Sequence, residues 1–201
     1  PDEVVVEYGA DTMRLYEMFM GPLEDAKPWS TKGIIGVRRF LEKIWQMGTH
    51  NTQPTTHNDF HVPADDSPLT RLAHQTIKKV TEDIEAFKFN TAISQLMIFT
   101  NELVRQERSM MFSYFQLLTI LISPFAPHLA EELWEHLGGS PSVSQQSWPQ
   151  YDPALAKEET IEFVVQVNGK VRDRIAASVG VTEVEATAMA DQARLHPRYE
   201  V

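Results

Sequence analysis

Lys32, Gly36, Arg39 and Lys43 stand at helical spacing and make a row of cations around a position with no side chain. Steps of about 100° gather them on one side of a helix, with Ile34, Val37, Leu41, Ile44 and Trp45 on the opposite arc. Such a stripe suits a phosphate backbone, which clustered Lys and Arg hold and which comes closest where no side chain stands in the way. A glycine inside a helix costs about 1 kcal/mol relative to alanine, so close approach from outside is one reason to keep Gly36. An ordinary solvated face with a tolerated glycine is the other reading. A second row, Lys170, Arg172 and Arg174, alternates with Val171, Asp173 and Ile175. On a regular strand the three cations share a face, which either meets an anionic ligand or is a polar edge kept soluble by its charge.

The elements that position these rows are mostly helices. Glu3 to Tyr8 reads as a short helix stopped by Gly9, and Asp11 can cap the next, with Leu15, Met18 and Phe19 as its apolar stripe. Ser30 or Thr31 can cap the cationic helix, which runs to about Met47; a polar connection rich in Thr, Asn and His follows up to Asp66. Ser67-Pro68 opens a helix to Phe87, Asn90 can cap one through Val104, and Ser109 can cap one ending at Ser123. That last helix is apolar on nearly every side and belongs in the middle of a bundle. Pro124 ends it, and Pro127 suits the first turn of the next helix, which runs toward Gly138-Gly139. An antiparallel bundle of about five helices results. After a Pro-containing linker the period changes to two: Phe163, Val165 and Val167 lead to Asn168-Gly169, a strong hairpin signal, and Val171 to Ile175 returns. Thr182 with Glu185 fits a capping box for a helix through Met189. The fold class is therefore mainly α, a helical bundle followed by a small α+β unit with a β-hairpin.

Composition narrows the function. The 201 residues carry a net charge of −10, which excludes a protein that grips nucleic acid with its whole surface. The balance is local: residues 1–30 hold seven acids and two bases, residues 31–60 two acids and four bases. No apolar run approaches the roughly 20 residues needed to cross a bilayer, so no membrane partner is expected. Without cysteine or a secretory leader, a cytoplasmic setting is the default. There is no Gly-rich phosphate loop and no hydrolase-type serine motif, so no catalytic residue is expected. His57 and His61 flank Asp59, yet the Thr- and Asn-rich surroundings are unsuited to a helix and no metal site is expected. Glu131, Glu132 and Glu135 read as a solvated acidic face, His128 as a first-turn polar residue, and Met18, Met20, Met97, Met110 and Met111 as core filling.

Leu118 to Leu137, with its Pro-bracketed elbow Ser123-Pro124-Phe125-Ala126-Pro127-His128, resembles the anticodon-binding helical domain of class I aminoacyl-tRNA synthetases for leucine, isoleucine, valine and methionine. Two further segments, Tyr8 to Leu23 with Lys27-Pro28-Trp29-Ser30, and Val164 to Arg172, resemble the bacterial-type leucyl-tRNA synthetase family in particular, and the similarity keeps the family's order through Gly33 to Trp45, Phe89 to Ile93 and Trp148-Pro149. The resemblance implies a C-terminal part of such an enzyme. The family's catalytic H-I-G-H and K-M-S-K-S signatures do not occur in these residues, and the tail after Ala193 departs from the family's final strands. It implies residues 1–30 as the end of a stem-contact region, 31–139 as the bundle, 140–160 as a linker and 161–201 as a partial C-terminal α+β domain. It also implies tRNA(Leu) as partner, together with the catalytic and editing domains of the same polypeptide, where ATP and Mg belong; no cofactor is expected here, and the chain alone is expected to be inactive. A free-standing helical RNA-binding or scaffold module, and the equivalent domain of an isoleucyl, valyl or methionyl enzyme, are the alternatives.

Overall fold

Every residue from Tyr114 to Ile122 is buried, including Gln116 and Thr119. The chain, seen here as a computed structural model, is described at residues 2–26, 28–51, 60–106, 112–157, 160–167 and 170–178. It divides into two compact units, Pro1–Ala156 and Lys157–Val201. The first is helical: α1 (Asp2–Tyr8), α2 (Ala10–Phe19), α3 (Thr31–Asn51), α4 (Pro68–Glu85), α5 (Phe89–Leu103), α6 (Phe112–Ile122) and α7 (Pro127–His136). Helix α6 is the one with nine successive buried residues; α4, α5 and α7 pack on it. Each fully buried Leu or Ile there contributes roughly 1.5–3 kcal/mol. Thr119 remains tolerable inside because its hydroxyl donates to the Phe115 carbonyl at 2.8 Å. Ser109, Met110 and Met111 lie outside the described residues.

The elbow after α6 is built as the prolines require, with α7 starting at Pro127. Its N-cap residue, however, is Ala126, which has no side-chain acceptor. Asp11, expected to cap its own helix, does this work instead. Its carboxylate accepts from the amides of Leu129 at 2.7 Å and His128 at 3.4 Å, and from His128 Nδ1 at 2.7 Å. The cap of α2 is Gly9, at φ +90°, with no side-chain bond. Sequence could not tell these uses apart, because an acceptor in a first turn serves any helix start its oxygens reach.

Tyr16 sets the start of α3. Buried in α2, it accepts from the Ser30 amide at 2.8 Å and stands edge-on to Trp29 with centroids 4.8 Å apart. Gly33 faces its ring so closely that an added Cβ would lie 2.8 Å from Tyr16 Cε2. Ser30 caps α3 as expected, through the Gly33 amide, and the helix continues past Met47 to Asn51.

Ser67 caps α4 through Thr70, also as expected. The α4–α5 turn differs: Asn90 lies inside α5, whose N-cap is Lys88 with no side-chain bond. The Lys88 amide donates to Asp83 O at 2.7 Å and the Phe87 amide to Ile84 O at 3.1 Å, which is the Schellman closure. Phe87 occupies its left-handed position at φ 56°, a conformation that costs a residue bearing Cβ about 1 kcal/mol. On α5, Ile93, Leu96, Thr100 and Leu103 are buried as the periodicity predicts, whereas Val104 is exposed.

Residues 140–156, read from the sequence as a linker, are strapped to the bundle. Glu131, expected to be solvated, accepts from Ser142 Oγ and from the amides of Val143 at 3.1 Å and Ser144 at 3.3 Å. These bonds hold its carboxyl below the usual glutamate range. Trp134 Nε1 donates to Pro141 O, and Trp148 Nε1 to Thr81 Oγ1, both at 2.8 Å. The Asp152 amide donates to His74 Nδ1 while His74 Nε2 donates to Pro63 O, each at 2.9 Å, which fixes the ring's tautomer.

In the second unit, β1 (Thr160–Val167) pairs antiparallel with β2 (Lys170–Ser178). Asn168-Gly169 and the expected helix from Thr182 to Met189 lie outside the described residues.

Asp11→Ala is expected to lower stability by about 1–2 kcal/mol in urea unfolding, the cost of losing an N-cap. Glu131→Gln is expected to cost about 1 kcal/mol near neutral pH, a charge-assisted contribution reduced by solvent. A carboxyl depressed in the folded state stabilises above its unfolded value and loses that contribution as pH falls through the folded one. The difference between the two proteins in urea should therefore begin to shrink as pH falls below the ordinary glutamate range and disappear only below the depressed folded value.

Candidate nucleic-acid interface

The cationic row on α3 is assembled as the spacing predicts, with one change of setting. Lys32, Gly36 and Arg39 are exposed and Lys43 is half-buried. Ile34, Val37, Leu41 and Ile44 are buried, but so are Phe40 and Met47, whereas Trp45 is 37% exposed rather than part of the buried arc. At 100° per residue this turns the covered side toward the stripe, which runs along its border rather than opposite it. The border meets α5, where Lys43 Nζ donates to Asn101 Oδ1 at 2.6 Å. Arg38 is otherwise engaged: it pairs with Glu42 at 2.9 Å and donates to the Glu7 carbonyl at 2.8 Å, tying α3 to α1. Lys32 and Arg39 have no hydrogen-bond or ion-pair partner among the described residues.

Gly36 has no internal explanation. An added Cβ there would find nothing within 4 Å. Gly48, on the same helix, would instead push a Cβ to 2.5 Å from Leu133 Cδ2 and 2.8 Å from Phe115 Cε1. Packing accounts for one glycine and leaves the other open to whatever approaches the stripe.

The second cationic row departs from its expected regularity. Lys170 pairs with Val167 and Arg174 with Val164, but the register shifts between Val165 and Gln166, whose partners are Asp173 and Val171. Arg172 falls in that shift, a bulge that interrupts the strict period of two on which a shared face depends. His57 and Asp59 lie outside the described residues. A shallow depression beside Trp134, lined by His128, Glu131, Glu132 and Glu135, is acidic and so has the wrong sign for a phosphate.

Residues 66–185 match the family described as the anticodon-binding domain of tRNA ligase. The chain belongs to that family. Among similar proteins, the leucine-tRNA ligase of Borrelia hermsii is 52% identical over 184 residues, covering 91% of this chain and 21% of the relative. Leucine-tRNA ligase 1 of Rhizobium johnstonii is 50% identical over the same number of residues, covering 91% of this chain and 22% of its own length. The chain thus spans about a fifth of the length of the curated relatives it matches. The LeuRS of Agrobacterium radiobacter, solved as a ternary complex with tRNA and LeuAMS, superposes with a TM-score of 0.68 at 30% identity, over 99% of this chain and 26% of that one.

In this anticodon-binding domain the matched segment begins just before α4, so the α3 stripe precedes it along the chain. Two residues that shape the stripe escaped sequence reasoning. Asn101 orients Lys43 from 58 positions away, and Tyr16 sets the register of α3 through a hydroxyl that no local pattern announces. Gly36→Ala is expected to raise the stability of the unliganded protein by about 0.5–1 kcal/mol, and Gly48→Ala to lower it by about 1–3 kcal/mol through overpacking. Urea titration of the two variants checks both signs.

Proposed function

We propose that this chain is the tRNA-holding part of a leucine-tRNA ligase, the enzyme that joins leucine to tRNA(Leu) with ATP in protein biosynthesis. The observation that carries the reading is identity near one half, over 91% of the chain, to leucine-tRNA ligases of unrelated bacteria. The LeuRS neighbour, solved with tRNA, supports the choice of ligand. In this reading the catalytic and editing domains of the same enzyme hold ATP and Mg, and the residues here hold neither cofactor nor metal. The setting is cytoplasmic.

Lys32, Arg39 and Lys43 neutralise phosphates, and Gly36 lets the backbone come within reach of the helix. The antiparallel bundle supplies rigidity, so the ligand is held by side chains whose own positions are set by Tyr16 and Asn101. A small α+β unit of residues 161–201 adds Lys170, Arg172 and Arg174 as further phosphate contacts, with the bulge at Arg172 re-aiming the strand. Holding tRNA in register is a catalytic contribution in itself, because orientation removes part of the barrier to a reaction carried out elsewhere in the enzyme.

Filter binding of a tRNA(Leu) transcript across a salt series tests this. Arg39→Ala combined with Lys43→Ala is expected to weaken binding about tenfold and to reduce the slope of log affinity against log salt by about one to two. An unchanged slope removes the α3 stripe from the interface; charging of an isoleucine or valine tRNA in place of tRNA(Leu) by the whole enzyme removes the leucine assignment.

A further inference from the structure

We propose that Phe87, at the tip joining α4 to α5, is a stacking point for an unpaired nucleotide of the bound tRNA; the inference rests on the tRNA-binding reading above and extends its surface from α3 along α5. The left-handed position of a Schellman closure favours glycine, which alone adopts it without a clash from Cβ. Here it holds a phenylalanine at φ 56° that is also 67% exposed. The residue therefore has neither backbone ease nor burial to account for it. Its ring is nonetheless held: it meets Phe89 edge-on at 5.8 Å, and Phe89 in turn meets the buried Phe125 at 6.2 Å. A planar apolar ring, presented to solvent and braced from behind, matches what an unstacked base requires, since every base has a face to stack.

Charge favours a nucleotide over a protein neighbour. Lys88, the next residue, is exposed and has no hydrogen-bond or ion-pair partner for its side chain among the described residues. From Ala86 to Asn101 there is no Asp or Glu, in a chain with 28 of them. Ser94, Ile98 and Asn101 form the exposed ridge of α5, which leads from Phe87 to the contact between Asn101 and Lys43. At 1.5 Å per residue this is a stretch of roughly 20 Å with no acid of its own; Glu85 and Glu102 bound it, and the Asp83 carboxylate that accepts from Thr91 is buried.

Phe87→Gly separates a ligand role from a structural one, because the substitution suits the backbone. With the full chain and a tRNA(Leu) transcript, it is expected to raise the Tm, weaken binding about tenfold and leave the salt slope unchanged, since stacking releases no counterions. Phe87→Tyr is expected to bind like the unaltered protein. If Phe87→Gly binds as tightly as the unaltered protein while the Arg39 and Lys43 double variant is weakened, the stacking assignment is overturned, the tip is left to a protein neighbour, and tRNA binding stands. No binding by the unaltered chain overturns both readings.

Discussion

A helix with no polar side has to be covered on all sides, and α6 imposes that condition on the rest of the first unit. Its residues from Tyr114 to Ile122 are all buried, so α4, α5 and α7 are arranged around it. The requirement reaches as far as α3, where Gly48 leaves room for Phe115 of α6 and Leu133 of α7. Close packing of this kind transmits position. Because α3 is pinned at its C-terminal half by the core and at its start by Tyr16, the cations on its border are held by a rigid element rather than by a loop.

The proline elbow that lets the chain leave α6 creates a problem that the fold solves at a distance. Ala126 cannot accept from the first amides of α7, and Asp11 does so from α2. The same use of carboxylates recurs. Glu131 gathers the amides of the strap, Asp65 accepts from the Ser67 amide and the Thr70 hydroxyl, and buried Asp83 accepts from Lys79 and Thr91. A chain of net charge −10 thus commits several acids to N–H and O–H groups of its own. Lys32 and Arg39 are left without partners among the described residues, and residues 86–101 contain no acid. An acidic protein can offer a phosphate-binding surface when its negative charge is spent locally elsewhere.

How much of this was legible beforehand depended on the range of the interaction. The α3 stripe, the caps at Ser30 and Ser67, the burial of α6 and the start of α7 at Pro127 all follow from neighbours within about two turns, and all appear in the structure. The sequence misled where a group had a choice of partners. Asp11 lies in the first turn of α2 yet serves α7, Glu131 resembled a solvated acid yet anchors residues 142–144, and Trp45 fitted a stripe whose true arc is centred nearer Phe40 and Met47.

The sequence by itself determined which segments are helices, which helix must lie inside, and which cations share a side, because propensity, capping and the 3.6-residue period are local properties. Only the tertiary structure decided that Gly36 faces open space while Gly48 faces Phe115, that Lys43 is steadied by Asn101, and that Phe87 stands exposed in a conformation made for glycine. Those outcomes depend on what arrives from distant parts of the chain. Helical periodicity tells which way a side chain points, but carries no information about what it will meet there.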